Sequence, residues 1–406
     1  MSTSSSFADV ADSSSENIDT GSESLFTTFD HLDTPIGPDG TPYAYYEALR
    51  DEARDNPIGW SNALGGFWVV AGYDACNEII QNSSAFSNVA VLFPAYELGQ
   101  EGPIRIAGYD DPEHKRERAF VNRAFSSRQV VNYEAEIRAM TNNLIDKFIE
   151  HGEADVAHLL GEEVPARLTA LMLGLPEEEG DTYHKWLRAM TQDHLVDFEK
   201  AAPVIAEMNE YFGAVMEERK RNPQGDVLSL IAHAEINGDR LTDDELRGFC
   251  ITLLVGGIHN TAKSLSSSFW RLGWDVELRR RLIANPDLIA GFVDEVMRYY
   301  SPAAVVGRLL VEEDITVAGV TMRKDQIVVL ALPVANRDAR QFPHPDVFIA
   351  DRSPNKHLAL GGGIHQCLGT HLVKVEARAA IEEFLKRIPD YQLHPTKKST
   401  WVTGQV

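Results

Sequence analysis

The segment LTDDELRGFCITLLVGGIHNTAKSLSSSFWRLGW, residues 241–274, constrains the fold more than any other stretch of the chain. Thr242 and Glu245 stand three residues apart and read as a capping box, and no proline interrupts the run of residues after them. The pattern predicts one helix to about Trp270, about 40 Å long at about 1.5 Å per residue. A chain containing such a helix must pack its other elements around it. Gly256 and Gly257 fall in its middle, where each costs about 1 kcal/mol relative to alanine. Something must compensate, either close contact with another helix or a groove needed for function.

Apolar residues recur at helical spacing from Pro112 to roughly Lys220, for example Met140, Leu144, Ile145 and Phe148. A further helix, DLIAGFVDEVMRYYSP, stops at Pro302, after which β-branched runs parted by Gly and charged turns predict strands within residues 305–338. Another helix is expected from about Leu368 to Arg387. The fold class is therefore mainly α with a small β region. Residues 26–406 read as one domain behind a Ser-rich, acidic, disordered head, residues 1–25, that is no signal peptide.

The chain has 38 Lys+Arg against 61 Asp+Glu, a formal charge of −23, and no basic stripe, which disfavours nucleic acid as a partner. Nowhere do 18 uncharged apolar residues run together, so no membrane span is expected. Cys76, Cys250 and Cys367 lie far apart, so neither a disulfide framework nor a four-thiolate zinc site is expected, and a reducing cytoplasm is the natural compartment.

The richest chemistry lies in HLALGGGIHQCLGTHLVKVEARAAIEEF. Gly361, Gly362 and Gly363 let the backbone pass close to something flat or bulky, and Cys367 follows at the mouth of a helix. Unpaired N–H groups there push a thiol toward thiolate, which makes Cys367 a metal ligand, while Cys76 and Cys250 read as inert core residues.

LGGGIHQCLG (360–369) resembles the haem-ligand loop of the cytochrome P450 family, and three more segments resemble that family in the expected order. In DEVMR, Glu295 and Arg298 look like its Glu-x-x-Arg pair, with Arg352 completing a buried structural network; ANRDARQFPHPDVF lies between; DDPEHKRERAF carries His114 and Arg118 at helical spacing. The resemblance implies a single-domain haem-thiolate fold of the bacterial, soluble type, with haem b as cofactor and Cys367 as its iron ligand. His114, Arg118, Arg308, His357 and His365 then bind the propionates, with Gly361 and Gly363 in the loop. It further implies a monooxygenase that activates O2 to hydroxylate a small hydrophobic substrate. Electrons would come from a ferredoxin and its NAD(P)H-dependent reductase, since the head and haem domain account for all 406 residues. Docking would use Lys115, Arg116, Arg123 and Lys374. The family's alignment draws the substrate pocket from Val89, Leu92, Tyr96, Leu253, Leu254, Gly257, Ala304 and Val305.

The chain departs from the family at His259-Asn260-Thr261, where an acidic residue and Thr are usual. Asn260 can donate to bound oxygen or hold water but cannot ionise, whereas His259 can titrate near neutral pH. The expected proton path is water held by Asn260 and Thr261, with His259 facing away from iron, or else pairing with a neighbouring helix. Some terpene-oxidising relatives also have Asn there, which places a terpenoid first, with fatty acids, aromatics and steroids open. Leu360 replaces the usual Phe, and the sequence ends at TWVTGQV, about where the family has a final hairpin, so a more open pocket or a missing last strand is expected. Alternatives are a peroxide-driven peroxygenase, a haem-binding sensor without turnover, and a zinc protein using His357, His365, Cys367 and His371.

Overall fold

The computed structural model describes residues 24–37, 40–94, 104–176, 179–193, 198–397, 399 and 401. Residues 1–23 of the expected head lie outside the described residues. Residues 24 and 25 do not continue that head: the Leu25 N–H donates to Glu52 Oε2 at 2.9 Å and ties them to the first helix.

The principal helices are α1 (Tyr43–Glu52), α2 (Tyr73–Gln81), α3 (Glu113–Val121), α4 (Glu134–Asp146), α5 (Glu163–Leu173), α6 (Gly180–Arg188), α7 (Phe198–Arg221), α8 (Asp243–Trp274), α9 (Leu288–Tyr300) and α10 (Thr370–Arg387). The long helix is α8. Its capping box forms as expected, and three acidic residues in its first turn favour the positive end of the helix dipole. It runs four residues beyond Trp270, to Trp274, giving 32 residues and about 48 Å. Asp275 then ends it and caps the next helix through the Leu278 N–H.

Nearly all of the length of α8 is covered by α5, α7, α9, α10 and the turn Ala157–Glu162. At the crossing with that turn a Cβ on Gly161 would collide with Ser266 Oγ, so any larger residue there would force that side chain to move. The largest apolar cluster surrounds this helix. A smaller cluster backs the sheet.

Strands β1 (Ile58–Ser61), β2 (Phe67–Val70), β3 (Phe86–Ser87), β4 (Val305–Leu310) and β7 (Ile327–Ala331) form one sheet in the order β1-β2-β7-β4-β3. Strands β5 (Ile315–Val317) and β6 (Val320–Met322) form a separate hairpin. Every residue of β7 is buried, as an IVVLA run covered on both faces requires. Only the β2–β7 pair is parallel, so the sheet joins the N-terminal part of the chain to the region after α9. No helix of the described residues is long and apolar enough to cross a membrane.

Candidate functional site

Cys367 lies between the glycine turn and the start of α10. Gly361 and Gly363 have φ of +66° and +59°, values that L side chains rarely adopt, which explains two of the three glycines. The neighbour they allow close is α2: a Cβ on Gly362 would lie 3.0 Å from the Ile80 side chain. The Cys367 N–H donates to Leu360 O at 2.9 Å and the Thr370 hydroxyl to Cys367 O at 2.7 Å, which closes the loop. Arg118, from α3, donates to Ile364 O and Gln366 O and clamps it from outside.

The Cys367 side chain is accessible although protein encloses it, the arrangement of a residue lining a recess. Burial raises its pKa, opposed by the Gly369 N–H, Arg118 and the Thr370 hydroxyl. The expectation that the N–H groups lower the pKa of this thiol is therefore corrected: desolvation outweighs the Gly369 N–H and Arg118, and the thiol lies above its ordinary value, so a bound metal cation would favour the thiolate further. Cys76 and Cys250 are fully buried, with thiols pushed far up.

His114 and His365 lie beside each other with ring centroids 4.2 Å apart. His114 Nδ1 is 3.3 Å from Asp111, but its Nε2 and both ring nitrogens of His365 are buried without a hydrogen-bond partner. Burial draws His365 down to about 3, helped by His114, Arg308 and Arg118. Arg308, on β4, is 5 % exposed, and among the described residues its one hydrogen bond goes to the Gly307 carbonyl. Burial lowers its pKa to about 10, and the nearby Asp110 only partly offsets this. Two guanidinium groups and two imidazoles with spare donors, next to an accessible thiol, fit a dianionic group carrying a metal, as the haem implied by the resemblance would. His357 is placed differently, its Nε2 3.9 Å from Asp294 on α9, and Lys374 shares that carboxylate.

Glu295 and Arg298 are both fully buried. They meet through two 2.8 Å contacts, and Arg352 Nε adds 3.0 and 3.1 Å contacts to the same carboxylate. The Ile349 N–H and Asn355 Nδ2 complete its shell, partners that sequence spacing did not indicate. Arg298 and Arg352 also donate to the Asn336, Pro343, Pro345 and Val347 carbonyls, fastening residues 336–352 to α9.

On α8 the two glycines have different surroundings. A Cβ on Gly257 would meet Thr169 Oγ1 at 2.5 Å, a close contact with α5, whereas Gly256 faces open space. Asn260 Oδ1 is buried without a hydrogen-bond partner, and Thr261 is buried. His259 is 8 % exposed; burial, with Lys263 beside it, draws its pKa to about 3. It is therefore neutral at physiological pH, which corrects the expectation that it titrates near neutrality.

A cavity of about 530 Å³ lies against α8, and of the residues expected to line a substrate pocket only Ala304 borders it. Leu254 and Val305 are fully buried in the main core and Leu253 nearly so. Val89 and Leu92 are half-buried near β4, where a Cβ on Gly307 would strike the Ala90 carbonyl, and Tyr96 lies outside the described residues. Lys263, which sequence reading missed, also lines the cavity. Its signal was a single cation in a stretch of apolar and small residues. Glu376 on α10, 2 % exposed, was missed too.

Among the described residues no three His, Cys, Asp or Glu side chains form a group able to hold a metal ion, so the zinc alternative has no site. Of the expected docking cations, Arg116 is engaged by Asp239 and Glu245, and Lys374 by Asp294. Lys115 and Arg123 are exposed.

A family model described as "Cytochrome P450" matches residues 64–400. The biotin biosynthesis cytochrome P450 of Bacillus subtilis (strain 168) is 31 % identical over 87 % of this chain and 90 % of its own. The steroid C26-monooxygenase of Mycobacterium tuberculosis is 30 % identical over 90 % and 94 %. The crystal structure of CYP109E1 from Bacillus megaterium in complex with testosterone superposes with a TM-score of 0.81 at 29 % identity, covering 90 % of this chain and 96 % of that one.

Proposed function

The chain belongs to the cytochrome P450 family, and from that premise we propose a ferredoxin-fed, cytoplasmic enzyme that binds haem iron through Cys367 and hydroxylates a small hydrophobic molecule. The coarser statement follows from the family itself: the protein is a haem b monooxygenase. The observation that carries the ligand assignment is the exposed Cys367 beside four cationic or imidazole groups, of which Arg308 and His365 have no carboxylate of the described residues within hydrogen-bond distance.

Bound haem supplies the redox-active iron at which dioxygen is activated. Around it the chain's own residues have separate tasks. Arg308, His114, His365 and Arg118 offer charge-assisted hydrogen bonds to two propionates. His357, paired with Asp294, is the remaining expected donor. Gly361 and Gly363 shape the turn, and Arg118 clamps the loop that presents the sulfur. Gly256 leaves room along α8. Asn260, with an unsatisfied amide oxygen, holds the water that delivers protons, and Thr261 follows it in the same turn. Neutral His259 orients that water rather than ionising. Lys115 and Arg123 form the basic face that meets an acidic ferredoxin. The terpenoid reading rests on Asn260 alone, and the relatives above bear names of steroid and biotin-biosynthesis enzymes, so the class carried to this chain is a hydrophobic molecule.

The test is the difference spectrum of the reduced, carbon-monoxide-bound protein. The wild type is expected to show the thiolate-ligated band and Cys367→Ser to lose it. An unchanged band in that variant overturns the ligand assignment. Turnover with ferredoxin, its reductase and NAD(P)H, compared with hydrogen peroxide alone, tests the electron source.

A further inference from the structure

The 530 Å³ cavity is a second feature of α8, and none of residues 360–369 lines it. Its volume suits a small-molecule site. Tyr46, Leu187, Ile258, Trp270 and Ala304 give it an apolar wall. Into this wall α8 places Lys263, one turn after His259. Lys263 makes no hydrogen bond or ion pair to any described residue.

The other charged groups around the cavity are otherwise engaged or exposed. Glu162 is 2.9 Å from His158, His184 is 3.3 Å from Glu163, and Arg188 is 3.9 Å from Asp193. Asp181 is exposed. Among the described residues none of these carboxylates offsets the burial of Lys263, which draws the ammonium down to about 8. His259 Nε2 is likewise buried without a partner. A half-buried cation in a cavity wall without a counter-charge raises the free energy of the folded state, and a ligand anion would reduce that penalty. One ammonium beside a neutral imidazole matches a single negative charge. A doubly charged phosphate would leave a charge unmatched near Glu162 and Asp181.

We propose that this cavity binds a hydrophobic carboxylic acid, its carboxylate held by Lys263 and its hydrocarbon part packed on the aromatic and aliphatic wall. Identifying that acid as the oxidised substrate rests on the preceding reading; the binding itself does not.

The experiment is calorimetric titration of the full-length haem-loaded protein at pH 7 with dodecanoate and with dodecan-1-ol. Quenching of Trp270 by 12-bromododecanoate reports where the chain sits. Wild type is expected to prefer the acid by about 10- to 100-fold, the range of a charge-assisted hydrogen bond. Lys263→Met is expected to erase that preference while still binding the alcohol, and Lys263→Gln to do the same should the methionine variant fold poorly. Equal affinity of wild type for acid and alcohol, or an acid preference that survives both substitutions, overturns the inference. The carbon-monoxide spectrum of the same sample separates the two readings: a missing band with the acid preference intact sinks only the haem assignment, and a band with no acid preference sinks only this one.

Discussion

The imidazoles of His114 and His365 stand 4.2 Å apart between centroids, and three of their four ring nitrogens are buried without a hydrogen-bond partner. Arg308 and Arg118 both press on His365 electrostatically, so four potential donors converge near the Cys367 loop. Two guanidinium groups beside neutral imidazoles, with Asp110 4.0 Å from His365 as the nearest carboxylate to that ring, leave positive charge and spare donors that a further anion would satisfy. The haem propionates have the required charge.

Arg308→Met should therefore have opposite effects on the two forms of the protein. The apoprotein should become more stable, because a buried cation whose one hydrogen bond among the described residues is to a carbonyl is gone. The haem-loaded protein should lose its cofactor about 10- to 100-fold faster, the equivalent of one charge-assisted hydrogen bond. Urea midpoints of the apoprotein and haem transfer to apomyoglobin measure the two. A variant that weakens both forms alike would mark Arg308 as merely structural.

Glu295→Gln should cost about 3–5 kcal/mol, because it leaves two buried guanidinium groups sharing a neutral amide. Lys374→Ala, which breaks a half-exposed pair with Asp294, should cost no more than about 1 kcal/mol. Urea unfolding of both variants checks the contrast, and similar losses would refute it.

Asn260→Ala should lower the product formed per NAD(P)H consumed, with the missing reducing equivalents appearing as peroxide or water. The orphaned amide oxygen at this position motivates the expectation. Unchanged coupling would remove Asn260 from proton delivery.

Glu376 is 2 % exposed with Oε1 unpartnered, and burial raises its carboxyl from 4.5 to about 8. Between those values the folded protein keeps a proton that the unfolded chain releases, so this group makes stability fall as pH rises from about 4.5 to about 8. Glu376→Gln should flatten that slope and raise the urea midpoint at pH 8.5 relative to wild type, with little change at pH 4. Parallel pH profiles for the two proteins would contradict the assignment.

Features written in near neighbours were legible in the order of residues alone. The capping box at Thr242 and Glu245, the Glu295–Arg298 spacing and the Gly361–Cys367 turn each depend on residues within about one or two turns, whose backbone geometry follows from local chemistry. Features set by sums over distant elements were not. Gly257 packs on Thr169 and Arg116 is tied to Asp239 and Glu245 through partners far along the chain, and His259 is held neutral mainly by burial. A mainly helical, haem-thiolate fold could be read directly from the residues, because its motifs are local and occur in the family's order. That Lys263 borders a cavity without a counter-ion, and that burial raises the Cys367 thiol, emerged solely from the folded arrangement, because desolvation is the combined effect of every segment that packs around a group.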